Sequence, residues 1–429
     1  MSLDIEILYP RALSDRSLSG QDASSFTELV ERLQRFVRRP NPFSLDDRFA
    51  TLEGLSDRLL QGEDRTYPGL AFLAAFLRSA HLKHLLQREI PNLAAIDRFV
   101  ATEDRKSLFI APRGVVTHWI AGNVPLLGMF SWALSALLGN ANVLRMSSRQ
   151  DPMLVQLIDQ LADLSDCGQS MAERTVVVRC DRDDEAAHRS LSECADARVA
   201  WGGKEAVEAI RALPARWDCE DIVLGPRVSL AVVDPALITD KIVTRLATDI
   251  AYFDQLACSS PQCIFVKSAD DASVEKFVQA FVPAFERQSR AIARHTLDFA
   301  ETYQISLDRT RVLVEGGELW RDQQTQWTVA VVPELHREIV CANRFVQIVP
   351  FREFDEVCRQ IPQNIQTIIT LLNADDTNSF TTAAALCGVC RFPRPGEGNN
   401  FEIPWDGIAL ASRLTRWITR SDPPTENST

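Results

Sequence analysis

Between Arg113 and Arg145 the chain runs for thirty-one residues without a formal charge, and no other feature restricts its fold so far. A stretch of that length, rich in Trp, Leu, Ile and Val, is either a membrane span or the interior of a large core; a span needs about 20 uninterrupted apolar residues. The punctuation decides between them. Gly122, Asn123 and Pro125 stand together in GNVP, and Gly139, Asn140 and Asn142 follow. Divided at those breakers, the stretch predicts a buried strand (VVTHWIA), a turn, an apolar helix (LLGMFSWALSALL) and a second strand (ANVLRM). That is a β-α-β unit of an α/β core, and no membrane span is expected.

The rest of the chain supports that class. It has 429 residues with 46% apolar and 24% charged, and only 18 Gly, which excludes a disordered or collagen-like chain. The 58 Asp+Glu outnumber the 46 Lys+Arg, a net charge of −12, so nucleic acid is not expected as a partner. Ten cysteines are too few for a disulfide scaffold. Cys387 and Cys390 form a CxxC with no second pair to complete a zinc site, which reads as structural thiols, and no metal is expected. The first residues, MSLDIEILYPRALSDR, lack the apolar centre of a signal peptide, and a reducing cytoplasm is the expected compartment.

Texture divides the chain into four parts. Residues 1–104 read as a helical N-terminal region, with FTELVERLQRFVRR and LAFLAAFLRSAHLKHLLQREI at helical spacing. From about Arg105, β-branched runs alternate with helices: TVVVRC, ARVAW, VSLAVVD, QCIFVK, TVAVVP, FVQIVP and QTIITLL are the expected strands. KEAVEAIRAL and ALITDKIVTRLATDIAYFDQ, the latter spanning 236–255, are expected helices between strands. This alternation implies mainly parallel sheets with ligand sites at strand carboxyl ends. LGPR interrupts it near residue 225, giving a first α/β domain over 105–225 and a second over 226–405. Residues 406–429 form a C-terminal segment ending in a polar tail.

Three strand ends carry candidate chemistry. Asn123 in GNVP can cap the following helix or donate its amide to an oxyanion. Gly202 and Gly203, before Lys204 and its helix, make either a tight turn or a surface where backbone N–H groups approach a ligand phosphate; no GxGxxG is present. Cys258, in LACSSPQC, lies in a turn between helix and strand. It is either a small buried apolar residue or a thiol with access to a cleft. Cys263, inside the next strand, fits the first description. His118 on its apolar strand reads as a satisfied core residue.

Taken in order, these strings resemble the aldehyde dehydrogenase superfamily, and within it the fatty acyl-CoA reductase branch of the LuxC type. The resemblance runs from about residue 60 to residue 418 and is carried by FDQLACSSPQCIFV, HWIAGNVPLLGMFSWALSALLGNANVLRMSS, ARVAWGGKEAVEAIR, LGPRVSLAVV and PWDGIALASRLTRW. It implies two doubly wound, mainly parallel α/β sheet domains with a helical N-terminal extension. Cys258 then matches the superfamily nucleophile, and Asn123 the oxyanion-hole amide. Arg145, Ser147, Ser148, Arg149, Gly202, Gly203 and Lys204 match the cofactor-binding positions. Arg149 stands where NAD-binding relatives often carry a glutamate, and a guanidinium pairs with a 2′-phosphate that a carboxylate would repel, so NADPH is the expected cofactor. Trp405, Asp406 and Gly407 match a family string that reads as a structural turn. Arg227 either attracts an anionic thiol carrier or forms a surface ion pair.

One departure separates branches of the superfamily. Where hydrolytic aldehyde dehydrogenases read ELGGK, this chain has Val223-Leu224-Gly225-Pro226-Arg227. Loss of the water-activating glutamate removes general-base assistance worth about 10²–10⁴-fold. The resemblance therefore implies NADPH-dependent reduction of a fatty acyl-CoA or acyl-carrier thioester to the aldehyde through an acyl-cysteine. It also implies a homo-oligomer, with an acyl-transferring protein as a possible partner. The alternatives are a hydrolytic aldehyde dehydrogenase with its base elsewhere, a thiol acyltransferase or thioesterase without hydride transfer, and a non-catalytic scaffold.

Overall fold

A computed structural model describes residues 5–10, 17–18, 23–62, 67, 69–103, 105–122, 126–147, 153–268, 270–336 and 342–421. Two compact units divide the chain, one formed by residues 1–225 with 401–429 and the other by residues 226–400.

The first unit contains β1 (Ile5–Tyr9), β2 (Ser17–Leu18), β3 (Val100–Ala101), β4 (Lys106–Pro112), β5 (Val115–Trp119), β6 (Ala141–Met146), β7 (Thr175–Arg179), β8 (Ala197–Trp201) and β9 (Glu220–Leu224). Seven of these make one sheet in the order β2-β1-β7-β6-β5-β8-β9. β7 through β9 are parallel, while β1 and β2 add an antiparallel edge. The order reverses at β5: the chain moves outward through β6 and β7 on one side, then returns to place β8 on the other. Such a reversal opens a crevice between strand carboxyl ends.

The charge-free stretch occupies the centre of this sheet. β5 is buried along its whole length, and the following helix, Leu127–Leu137, is buried at every residue from Gly128 onward. A helix apolar all round belongs in the interior of a large protein as readily as in lipid. Among the described residues no helix is long and apolar enough to cross a membrane. Phe130 packs on Phe76 and Phe401 with ring centroids 5.1 Å apart in each case, which accounts for the aromatic content of the helix as core.

The second unit contains β10 (Val228–Val233), β11 (Pro261–Lys267), β12 (Glu318–Arg321), β13 (Thr328–Val331), β14 (Phe345–Phe351) and β15 (Ile365–Leu371). Their order is β12-β13-β14-β11-β10-β15, parallel except for β12. Along β10, Leu230 and Val232 enter one apolar cluster while Ala231 and Val233 enter the other. Both faces are covered, which is why these strands read in sequence as unbroken apolar runs rather than as alternating ones.

A third sheet, in the first unit, joins β16 (Thr415–Ser421) to β4 and β3 in antiparallel register. The N-terminal region expected to be helical holds helices at Ala23–Val37, Leu45–Gln61, Leu70–Phe76 and Ser79–Glu89, but it also contributes β1 and β2 to the main sheet. Sequence pattern missed β1, whose five residues alternate between buried and half-buried, whereas the equally short β5, β7 and β8 are buried along all or nearly all of their length. Two doubly wound, mainly parallel sheets are the observed α/β architecture.

Candidate active site

Cys258 lies on the turn that leads into β11, at the amino edge of the second unit's sheet. In a parallel sheet every helix-to-strand turn lies on that edge, so this candidate departs from the expectation of sites at strand carboxyl ends. The helix expected over 236–255 is shorter: a 3-10 turn covers Pro235–Leu237, and the α-helix runs over Asp240–Ala251 with Thr239 as its N-cap. Beyond it Phe253, Asp254 and Gln255 are all left-handed, with φ of 53°, 53° and 62°. Three consecutive non-glycine residues in that region cost about 1–2 kcal/mol each. Surrounding contacts must overcome that cost.

Those contacts are specific. Asp254, buried, pairs through Oδ1 with Arg344 Nη2 at 2.7 Å, and Arg344 is itself fully buried. Arg344 also donates to the carbonyls of Ser289, Ile292 and Ala293 near the end of helix Asp271–Ala291. The other Asp254 oxygen accepts from the His295 backbone N–H at 3.1 Å and lies 2.8 Å from His295 Nδ1. Asn343 N–H donates to the Asp254 carbonyl at 2.8 Å, and Gln255 Nε2 donates to the Pro261 carbonyl at 2.8 Å. His295 Nε2 reaches Glu301 at 3.1 Å. Burial lowers the His295 pKa, but Asp254 and Glu301 outweigh it and hold the imidazole above its ordinary value. Arg294, lowered to about 10 by burial and by the nearby Arg344, donates to the Asn343 carbonyl at 2.9 Å.

The strain ends just before the thiol. Leu256 N–H closes onto the Phe253 carbonyl and Ser260 N–H onto the Ala257 carbonyl. Cys258 is half-buried between these closures, and Ser229 Oγ at the start of β10 donates to its carbonyl at 2.6 Å. Cys263 is fully buried in β11, as a core thiol should be.

In the first unit the cofactor candidates gather on one sheet edge. Arg145 is the last residue but one of β6 and Ser147 lies just beyond it, while Gly202, Gly203 and Lys204 follow β8. β5 lies between those strands, so these residues flank the reversal of strand order. Arg145 donates to the Cys180 carbonyl at 2.9 Å. A Cβ on Gly122 would meet Ser147 Oγ at 3.2 Å, so the ends of β5 and β6 are in contact. Gly203 caps the helix Lys204–Ala212, and a Cβ there would meet nothing within 4 Å. Lys204 is exposed and lies 3.9 Å from Glu208. Gly225 is required by close approach, since its Cβ would lie 2.0 Å from the Gly202 carbonyl oxygen. Asn123, Ser148 and Arg149 lie outside the described residues.

Two other expectations concern structural residues. His118 is fully buried between Ser131 Oγ at 3.0 Å and Asn142 Oδ1 at 3.1 Å, and burial lowers its pKa to about 4. It is a neutral core residue. Trp405 stacks on Phe401 at 4.6 Å, and Asp406 and Gly407, both at positive φ, turn the chain back so that Trp405 and Ile408 exchange backbone hydrogen bonds. Among the described residues no group of His, Cys, Asp or Glu could hold a metal ion.

Comparison with known proteins places these features in one family. The model of the acyl-CoA reductase (LuxC) family matches residues 43–417. The chain belongs to that family. Curated relatives of this LuxC-family chain include the long-chain acyl-protein thioester reductases of Aliivibrio fischeri and Vibrio harveyi. They are 23% and 25% identical over 316 residues, in each case 73% of this chain and 65% of the relative. That of Photorhabdus luminescens is 23% identical over 348 residues, 80% of this chain and 71% of the relative. The chain thus spans about two thirds of the length of the relatives it matches.

Solved structures resemble it over nearly the whole chain. The P. syringae indole-3-acetaldehyde dehydrogenase AldA, in complex with NAD+, has a TM-score of 0.70 at 12% identity, covering 94% of this chain and 90% of its own. The aldehyde dehydrogenase KauB from Pseudomonas aeruginosa has a TM-score of 0.66 at 14% identity, covering 94% and 90%. These likenesses establish the aldehyde dehydrogenase fold. What sequence reading missed in this LuxC-family chain is the support of the thiol: Ser229, Asp254, His295 and Arg344. Asp254 lies inside the cysteine-bearing string, and an acidic residue so close to a nucleophile candidate was the available signal.

Proposed function

We propose that this protein reduces a fatty acyl thioester, on coenzyme A or a carrier, to the aldehyde by way of an acyl-cysteine on Cys258. The observation that carries the reading is the half-buried thiol on a turn whose strained backbone is held by a buried ion pair and side-chain hydrogen bonds. Strain maintained in this way belongs at functional sites. The LuxC family membership and the reductase relatives give the reaction class.

In this reading the Cys258 thiolate attacks the thioester carbonyl, the carrier thiolate departs, and an acyl-cysteine remains. The Cys258 backbone N–H and the Asn123 amide take the oxyanion role, each such donor being worth about 3–4 kcal/mol. Val223 on β9, paired with Ala200, leaves no carboxylate where hydrolytic relatives carry their base. The acyl-cysteine then outlasts attack by water. When bound, a nicotinamide would supply the hydride to the acyl-cysteine carbonyl, and Cys258 would then leave as thiolate as the resulting thiohemiacetal alkoxide collapses to aldehyde.

The first unit's sheet edge fits a dinucleotide. Gly203 leaves open space, the Lys204–Ala212 helix presents its N-terminus, and both border the reversal in strand order. Gly202, Gly203 and Lys204 would hold the pyrophosphate, and Arg145, Ser147, Ser148 and Arg149 the adenosine end, Arg149 favouring the 2′-phosphate of NADPH. The same reading extends to a homo-oligomer in a reducing cytoplasm, with acyl groups delivered by coenzyme A or by a transferring protein.

Incubation with acyl-CoAs of several chain lengths, with and without NADPH, tests this directly. Acyl label should appear on Cys258 without NADPH and aldehyde with it, and Cys258→Ala should abolish both. Undiminished aldehyde from Cys258→Ala would overturn the assignment.

A further inference from the structure

Both serines that follow Cys258 are tied to one distant residue. Ser259 Oγ donates to Asn399 Oδ1 at 2.7 Å, and Ser260 Oγ to the same oxygen at 3.4 Å. Asn399 Nδ2 donates in the other direction, to the Asp249 carbonyl at 2.9 Å. Ser259, Ser260, Asn399 and Asp249 are all buried, the most exposed of them at 8%. Their hydrogen bonds are therefore made within the protein or not at all.

Asn399 is in turn placed by the segment that carries it. Gly396 N–H donates to Asp249 Oδ2 at 2.6 Å, so the same aspartate holds the segment by its side chain and Asn399 by its backbone. Gly396 has a φ of 93°, and a Cβ on Gly398 would lie 2.7 Å from Ile369 Cδ1. Arg391 donates to the Gly398 and Asn400 carbonyls at 3.3 and 3.0 Å. The segment is thus fixed at both ends of its short run. An amide accepts from two hydroxyls at one atom and donates to a carbonyl from the other, whereas an ionised carboxylate lacks the donor and an alkyl chain lacks both.

We propose that Asn399 is a positioning residue for Cys258, holding the carboxyl side of the nucleophile turn as the Asp254–Arg344 pair holds its amino side. The proposal rests on Cys258 being the reacting thiol. A misplacement of about 1 Å at a reacting atom costs up to about 10²-fold in rate. The tie through Ser259 controls such a displacement without touching substrate.

Alkylation of Cys258 by iodoacetamide, followed by peptide mass across a pH series, reads the thiol without an acyl donor. Asn399→Ala should slow that alkylation about tenfold and shift its pH profile, and slow acyl transfer by about 10–100-fold, with NADPH affinity unchanged. Ser259→Ala should act in the same direction, and the double variant should be no slower than the slower single one, because both remove one interaction. Ser259→Ala loses only a hydroxyl, so it carries the test by itself should Asn399→Ala fail to fold. Alkylation within twofold of the unsubstituted protein in the folded variants would overturn the positioning role, whatever acyl transfer does. Altered alkylation in a protein that never accepts an acyl group would instead refute the acyl-cysteine reading and leave the positioning role intact.

Discussion

The two regions assigned chemistry in this protein are built on opposite principles. The Cys258 turn, on the amino edge of its sheet, is crowded: three left-handed residues, a buried ion pair and bonded serines fix it from both sides. The glycine turn after β8, on the carboxyl edge of the other sheet, is bare. Gly203 has ordinary extended backbone and open space where a side chain would be. If Cys258 is the reacting thiol, it needs one position, and its surroundings are overdetermined accordingly. If the glycine turn receives a large ligand, it needs room, which Gly203 leaves, while a Cβ would meet Ala206 at 3.2 Å on Gly202 and the Gly202 carbonyl oxygen at 2.0 Å on Gly225.

If that contrast is right, the largest loss should follow damage to the crowded turn. Asp254→Ala leaves Arg344 buried without its counter-charge, and breaking a buried pair this way costs about 3–5 kcal/mol. Denaturant midpoints should fall accordingly, and Cys258 alkylation should slow in whatever remains folded; a loss below about 1 kcal/mol would mean that the pair does not hold the turn. Gly225→Ala probes the bare edge. Its Cβ meets the Gly202 carbonyl at 2.0 Å, so the backbone must shift, at about 1–3 kcal/mol, with weaker NADPH binding in a fluorescence titration and unchanged Cys258 alkylation. Slower alkylation in that variant would erase the distinction between the two regions.

The smallest effect is a pH dependence. His295 is held above its ordinary pKa in the folded protein, so its cluster contributes stability that is fully present below the unfolded value of 6.5. That contribution fades as pH rises through the higher folded value. Thermal melts of His295→Gln should therefore differ from the unsubstituted protein most near pH ~6 and least near pH ~9. A gap that stays constant with pH would remove the imidazole's charge from the account.

Much of this was legible in the chain itself. The strands of both sheets show as β-branched runs because strands covered on both faces have no polar side to interrupt them. The breakers within the charge-free stretch located β5, its helix and β6. The strands missed lie at or near the ends of the two large sheets or in the third sheet, whose middle strand is β4. β1 alternates between buried and half-buried, β9 was read only as part of a motif, and β16 was taken into a C-terminal segment, although it pairs with β4 along seven residues.

The candidate site divides the same way. Cys258, Gly202 and Gly203 could be named because turn chemistry is local: a residue type at a strand end reveals what the backbone can do there. Their partners could not. His295 lies 41 residues from Asp254, and Asn399 lies 140 from Ser259, with nothing in either segment marking it for that contact.

The sequence by itself determined that the charge-free stretch would be interior, that the sheets would be parallel, and that a cysteine would stand in a helix-to-strand turn, since each depends on residues within one or two elements. Only the tertiary structure decided that Asp254, in the strained part of the turn, would pair with Arg344 and that Ser259 and Ser260 would donate to Asn399. A buried charge or amide finds its partner only after the sheet has brought distant segments together, and the desolvation that makes those bonds obligatory does not exist in the unfolded chain.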